Sequence, residues 1–578
     1  MSRRLLPRGA GAVGRTLAIA LLVAWAAYVA EVHPSRLLNE ESARAVRDLV
    51  KGMFPPDFSA DFLTVVGVAI ARTLAIAIAG TSLAVLLALP LGYLATPSLF
   101  RRGIVVASDP ATASKRMRSW ASLGARGVLR LLRAVPDVMW GVLFVVAIGL
   151  GSLAGTLALA VAYAGVLGRV YADVFESVDQ GPIEAIHATG AGRFGVFVTA
   201  VWPQAIGSVI AYTLYSFECC VRAASVLGFI GAGGIGYEIN ISMRLFDYRQ
   251  VLTLILAYLV VVFASELVSR ALRARFAQGR SRLAMSRFFR AIAGLAALVA
   301  VGSSFVAVGF FRADLDGAAS RALRFASSLW PLDVSRSFLA TLGAPILQTI
   351  AIAVMGTIAG VVLGGALTIP AAIRVASLED SAQTPPSLAL AVVDRGARTA
   401  LAILRSIPEM LWVLLCIVAI GLGPFAGTIA VGLHSAGVLG KLYADALDEA
   451  PRGPVFAVRA AGASGWACFL WAVLPQARAT LTTYTLLRFE ANLRAATIVG
   501  LVGGGGIGLL MYNDIQLGFY DRVGTLIVVV YGLIAASDAI TDRLRTRGFS
   551  RRSERIVDAP ALALLATSDG PGPGPGPA

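Results

Sequence analysis

Charge is what this sequence has little of: Asp, Glu, Lys and Arg make up 15% of its 578 residues, against 57% hydrophobic. Soluble domains carry about a quarter charged residues, and mean hydropathy here is +0.76. A string of water-soluble domains is thereby excluded, and the chain reads as a polytopic membrane protein. Cysteine is equally sparse. Cys219, Cys220, Cys416 and Cys468 sit in or beside apolar runs without metal-ligand spacing, so they read as small core residues and not as disulfides or a zinc site. His33, His187 and His434 stand apart, with no triad or zinc pattern. No Gly-x4-Gly-Lys-Ser/Thr occurs (Gly437-Val-Leu-Gly440-Lys441 is too short), so ATP hydrolysis is not expected of this chain. Negative charge is the scarcer sign, leaving a formal net charge of +16. Nucleic acid is rejected as the partner, because Arg and Lys gather in loops between apolar runs, as membrane topology requires.

What is present is a duplication. Glu184-Ala185, Gly190, Trp202-Pro203-Gln204, Phe217-Glu218, Arg222 and the run Gly231 to Gly236 return as Phe456-Ala457, Gly462, Leu474-Pro475-Gln476, Phe489-Glu490, Arg494 and Gly503 to Gly508. The offset is 272 throughout, which marks an internal repeat. Apolar runs at 14–30, 63–89, 204–227 and 251–268, with two more inside 138–168 parted by Gly149-Leu-Gly151, predict six crossings of about 20 residues for the first copy. The first run ends Tyr28-Val29-Ala30, a poor cleavage site, and a similar run recurs at 291–311, so it is expected to be retained and not a cleaved signal. In the second copy 346–369 matches 63–89 at an offset of 276, and Gly421-Leu-Gly423-Pro424 matches the break.

An even number of crossings returns the chain to its starting side. The expected fold is an all-α polytopic membrane protein of two parallel six-helix repeats, about twelve transmembrane helices, related by an axis along the membrane normal. Domains follow as 1–270 and 291–548 for the repeats, 271–290 for a basic cytoplasmic linker, and 549–578 for a disordered Gly/Pro-rich tail. Eight basic residues from Arg101 to Arg133 face Asp109 alone, whereas 31–61 is mixed in sign. That asymmetry puts the basic loop, and with it both termini, in the cytoplasm.

Two features invite chemistry. Glu218 and Arg222, like Glu490 and Arg494, lie four apart on one helical face, where each charge costs about 2.5–3.5 kcal/mol to insert. They are expected either to pair structurally or to line an anion's route, and both readings stay open. The glycine runs satisfy G-x-G-x-x-G literally, but a membrane helix and not a strand precedes them, which removes a dinucleotide site. Gly233, Gly234, Gly505 and Gly506 are expected instead in an irregular turn lining the pathway, buried in protein.

The spacing of Glu184, Ala185, Gly190 and Pro203 resembles the EAA loop of ABC importer permeases, and Ala457, Gly462 and Pro475 repeat it with Phe456 in place of the Glu. Tyr212 to Glu218, Arg222, Val226-Leu227-Gly228 and the first glycine run look like permease subunits of phosphonate and phosphite importers; Tyr484 to Glu490, Arg494 and the second run do likewise. The resemblance implies the type I importer permease fold, here as a tandem fusion. It implies that Glu184, Ala185, Gly190, Pro203, Ala457, Gly462 and Pro475 couple to two cytoplasmic ABC ATPase subunits, which carry ATP and Mg, with no cofactor on this chain. It further implies an extracytoplasmic solute-binding protein, an anionic small-molecule substrate, lipid around the chain, and the bacterial inner membrane. Phe456 leaves the two ATPase contacts unequal unless Asp448 or Glu449 substitutes. The rival within transport is an ion-coupled secondary carrier, disfavoured because no ladder of acids runs through several helices. An intramembrane enzyme would need a nucleophile–base or metal set that the sequence lacks.

Overall fold

The computed structural model describes residues 8–100, 112–277, 287–312, 315–377 and 388–549, which are helical with short connections. Of the expected tail (549–578) and linker (271–290), residues 550–578 and 278–286 lie outside the described residues. The first repeat contains α1 (Arg8–Val29), α2 (Ala60–Ala95), α3 (Thr112–Ala134), α4 (Asp137–Ile148) and α5 (Ser152–Glu176). A short α6 (Gln180–Ala188) precedes α7 (Trp202–Leu227), α8 (Ile235–Arg244) and α9 (Tyr248–Ala277). The second repeat gives α10 (Arg287–Ala307), α11 (Gly343–Leu367), α12 (Leu388–Ser406), α13 (Glu409–Ile420) and α14 (Pro424–Asp448). It closes with α15 (Arg452–Ala460), α16 (Leu474–Gly500), α17 (Gly506–Leu517) and α18 (Tyr520–Phe549).

Among the described residues seven helices are long and apolar enough to cross a bilayer, or nine if each of two bent pairs counts as one span. The bent pairs refine the sequence reading. The run beginning at 138 was expected to cross unaided, yet α4 has 12 residues, about 18 Å at 1.5 Å per residue. It follows α3 through an 88° bend, so the two helices form one sharply broken segment and not a straight crossing. Pro136 sits at that bend and Pro408 at its 93° partner between α12 and α13, where a missing N–H ends the preceding helix. Three more expected crossings are helical: α1, α10 and α16, the last interrupted in its apolarity by Arg478, Arg488, Glu490 and Arg494.

By contact the chain divides into two compact units: Val50–Ser328, and the described residues on either side of it. In the first, α10 packs on α2. In the second, α1 packs on α11, burying Ala26 and Ala30 with Ala351 and Val354. Each compact unit therefore holds one repeat less its first helix, plus the first helix of the other repeat. Small residues set the closest packing inside each unit. A Cβ on Gly356, Gly360 or Gly364 of α11 would strike Val431, Ser435 or Ala436 of α14, a four-residue spacing that lets two backbones approach where lipid offers no hydrophobic drive for association. Gly80 of α2 meets Leu159 of α5 in the same way.

The glycine runs form the irregular turns expected of them. Gly234 and Gly506 have φ of 76° and 74°, a region open to glycine at no steric cost, and both are buried. Past the turn, a Cβ on Gly236 would overlap the Ser225 carbonyl, and one on Gly508 the Thr497 carbonyl. Gly236→Ala should therefore cost at least about 2 kcal/mol through backbone displacement, whereas Gly207→Ala, on α7 with open space around it, should be neutral or slightly stabilising. Thermal unfolding of the two variants in detergent checks this; equal melting temperatures would refute it.

Candidate functional site

The repeated loop forms an elbow. α6 is capped by Asp179, whose Oδ1 accepts from Gly181 N at 3.2 Å, and is anchored by Ile183 against Tyr171, Phe175 and Val201. Burying that single side chain turns Glu184 and Ala185 outward, both exposed. Gly190 follows with φ 84°, a left-handed turn that an L side chain adopts only at about 1–2 kcal/mol. Pro203 is the second residue of α7. Lacking an N–H and crowding the carbonyl four residues back, it accompanies a π-turn over Phe197–Val201 in which Trp202 N donates to Phe197 O. Gln204 closes the elbow, donating to Ala200 O at 2.8 Å and accepting from Asp179 N at 3.2 Å.

The second elbow keeps this geometry. Val455 is the buried anchor, Ala457 is exposed, and Gly462 has φ 83°. Pro475 follows a π-turn over Phe469–Val473, and Gln476 donates to Ala472 O at 2.7 Å. Phe456 stands 51% exposed where the first elbow presents Glu184. Asp448 lies 2.9 Å from Arg398, and Glu449 is exposed.

The charged pairs differ between the copies. Glu490 and Arg494 pair as expected, at 3.0 Å. Glu218 instead reaches Arg273 of α9 at 2.9 Å, and Arg222 donates to Cys219 Sγ at 3.4 Å. Of the two readings left open for Glu218 and Arg222, the structural pair does not form: Arg273, 55 residues on, points its guanidinium at the Glu218 carboxylate and also lies over the Tyr215 ring. Gly233 and Gly234, and Gly505 and Gly506, occupy the turns between α7 and α8 and between α16 and α17. The Thr73 hydroxyl accepts from Ile235 N and the Thr349 hydroxyl from Ile507 N, each at 2.9 Å.

A buried polar network in the second repeat escaped the sequence reading. Glu409 Oε1 lies 3.4 Å from Arg488 and 3.2 Å from His434 Nε2. His434 Nδ1 is 2.9 Å from the Ile407 carbonyl, so that nitrogen carries a proton. Arg488 Nε donates to Ser435, Ser435 to Asn492 Oδ1 and Asn492 Nδ2 to Thr357, at 3.0, 2.8 and 2.9 Å. His434 is thus part of an ionic cluster and not the isolated residue it looked. At the same offset the first repeat has Asp137, Ala162, Ser216, Tyr163 and Cys220. The signal was there to find: Ala162, Ser216 and Cys220 become His434, Arg488 and Asn492 together, and a polar change at one membrane position needs partners at others.

Two bundles of apolar helices, each with an elbow braced on its α5-type helix and a buried glycine turn, define a polytopic permease. The family model for the binding-protein-dependent transport system inner membrane component matches residues 102–282 and 387–547. The chain belongs to that family, the membrane permeases of ABC importers. It is 35% identical over 504 residues, 86% of this chain and 88% of the other, to the phosphate-import permease protein PhnE of Mycolicibacterium smegmatis. It is also 33% identical over 269 residues to the phosphite transport system permease protein PtxC of Stutzerimonas stutzeri, covering 46% of this chain and 90% of that one. These relatives are named as transport permeases and not as enzymes. Inward-facing MetNI methionine ABC transporter chains match 37% of this chain at 20% identity with a TM-score of 0.33, too slight a likeness to build on.

Glu409→Ala should destabilise by about 3–5 kcal/mol, since it strands buried Arg488 without its carboxylate, and Asp137→Ala should cost less because Ser216 stands in the arginine's place. Adding Arg488→Met to Glu409→Ala should recover part of the loss. Thermal melts of the three variants check the order, and an unimproved double variant would contradict it.

Proposed function

We propose that this chain is the membrane-spanning part of an ATP-driven importer that moves an oxyanion of phosphorus (phosphonate, phosphite or phosphate) into the cytoplasm by alternating access. The observation that carries the reading is the pair of elbows: two short helices with matching anchors, positive-φ glycines and outward residues, each rigidly joined to long apolar helices. A separate ATPase pair gripping Glu184–Gly190 and Phe456–Gly462 would drive the helices directly, with ATP and Mg held on that pair. An extracytoplasmic solute-binding protein would deliver the anion, and both termini would lie on the cytoplasmic side of the bacterial inner membrane. The substrate class comes from the phosphate and phosphite permeases that the chain resembles and from arginines on the helices next to the glycine turns.

The elbows serve unequally in this reading. Glu184 offers charge and a hydrogen-bond acceptor to a docking groove; Phe456 offers an apolar plug. The arginines are unequal too. Arg494 has a carboxylate at 3.0 Å, whereas Arg222 has a thiol, so Arg222 is the more available to an anion.

In proteoliposomes with the neighbouring ATPase and binding protein, uptake of labelled phosphite or phosphate should require ATP and resist an uncoupler. Uptake that the uncoupler abolishes would favour the ion-coupled carrier. Gly190→Ala should lower transport per ATP hydrolysed more than Gly462→Ala; equal losses would remove the asymmetry. Arg222→Ala should reduce uptake at limiting substrate by roughly tenfold or more, the worth of one hydrogen bond to a charged group, with ATPase assembly intact. Unchanged flux would return Arg222 to a structural role.

A further inference from the structure

Where α5 leads into the first elbow, a cavity of about 190 Å³ opens between α2, α3 and α5, room on the order of six waters. Its walls are Ala95, Leu129, Ala172 and four arginines, Arg126, Arg130, Arg133 and Arg169. Arg126 is fixed at its base, Nε donating to the Ala95 carbonyl at 2.6 Å with a second nitrogen 3.8 Å from Glu176. Arg169 is tied to Asp173 at 2.9 Å. Arg130 and Arg133, exposed at the rim, have no carboxylate partner among the described residues.

The duplication supplies an internal comparison. At the offset of 272, Arg126, Arg133, Arg169, Asp173 and Glu176 become Arg398, Arg405, Lys441, Asp445 and Asp448, but Arg130 becomes Ala402 and buried Ser122 becomes Asp394. There Arg398 is held between Asp394 at 3.0 Å and Asp448 at 2.9 Å. The same corner of the fold thus carries three cations against three carboxylates in the second repeat, and four against two in the first. Like charges converging on a small cavity repel unless an anion sits among them, and planar guanidinium forks match phosphoryl oxygens two at a time. Alongside the arginines α3 exposes Met117, Trp120, Leu123 and Leu131, the mixture of a helix whose cations meet headgroups while its apolar side chains meet acyl chains.

We propose that this cavity, in the first repeat only, binds a phosphoryl oxyanion through Arg130 and Arg133, with Arg126 and Arg169 behind them. The source is the headgroup of an anionic phospholipid or free inorganic phosphate. The site is distinct from the translocation reading, and an occupant would cross-link α3 to α5 beside the elbow that begins at Gln180.

The test is equilibrium binding to the full chain in nanodiscs of phosphatidylcholine, using fluorescent phosphatidylglycerol in one arm and radiolabelled inorganic phosphate in the other. The wild type should bind at least one probe, and Arg130→Gln with Arg133→Gln should weaken that binding by about tenfold or more. Arg405→Gln, in the neutral counterpart, should leave it unchanged. Phosphatidylglycerol binding that phosphate does not compete supports a lipid headgroup; phosphate binding in neutral lipid supports the free anion. Neither probe responding to the double substitution, or Arg405→Gln matching its effect, overturns the site. Both arginines are exposed, so the double variant is expected to melt like the wild type; should it fail to fold, Arg133→Gln alone carries the same comparison.

Discussion

A threonine hydroxyl holds each half of this protein together at its least regular point. Thr73 donates to Ala69 O within α2 and accepts from Ile235 N beyond the glycine turn; Thr349 does the same with Pro345 O and Ile507 N. A chain that breaks its helix away from water must find partners for the amides it frees. One hydroxyl supplies an acceptor there while its own proton is satisfied by its helix. The contact is possible only because residues 234 and 506 lack a Cβ, which would collide with that same hydroxyl. This bond seats the turn against α2 and α11 and holds the first residues of α8 and α17 there.

On that shared backbone the two copies have diverged in charge. Tyr171 to Thr213 and Tyr443 to Thr485, each 2.6 Å, tie the fifth-type helix to the elbow's helix identically in both. Around these fixed ties the ionic partners have been redistributed. The second copy gathers Glu409, His434, Arg488 and Asn492 into a closed network; the first places Cys220, Tyr163 and Ser216 there and sends its Glu218 to Arg273. A single fused chain permits this, since its halves can vary independently in a way that two copies of one short subunit cannot.

Much of the fold was legible because its signals are local. Twenty-residue apolar runs, Gly149 and Gly421 at the breaks and the constant offset each act within a few residues of where they are read, whereas the bends at Pro136 and Pro408 were not read from the sequence. The residues of the elbow were singled out too: Gly190 and Gly462 take left-handed turns, and Glu184 and Ala185 face outward. Arg222 was placed on the right helix, but of its two open readings the pairing with Glu218 is not the one the structure shows. Four-residue spacing says which side chains share a face, but not what a neighbouring helix brings to that face.

The sequence by itself determined the duplication, the membrane class, the helical segments and the glycine turns, since the length of an apolar run, proline's missing donor and glycine's missing Cβ are properties of the chain alone. Only the tertiary structure decided that Glu218 takes Arg273, that His434 and Arg488 share Glu409, and that each compact unit contains the first helix of the other repeat. Those outcomes depend on which helices pack together, and a buried charge takes the partner that packing brings within reach.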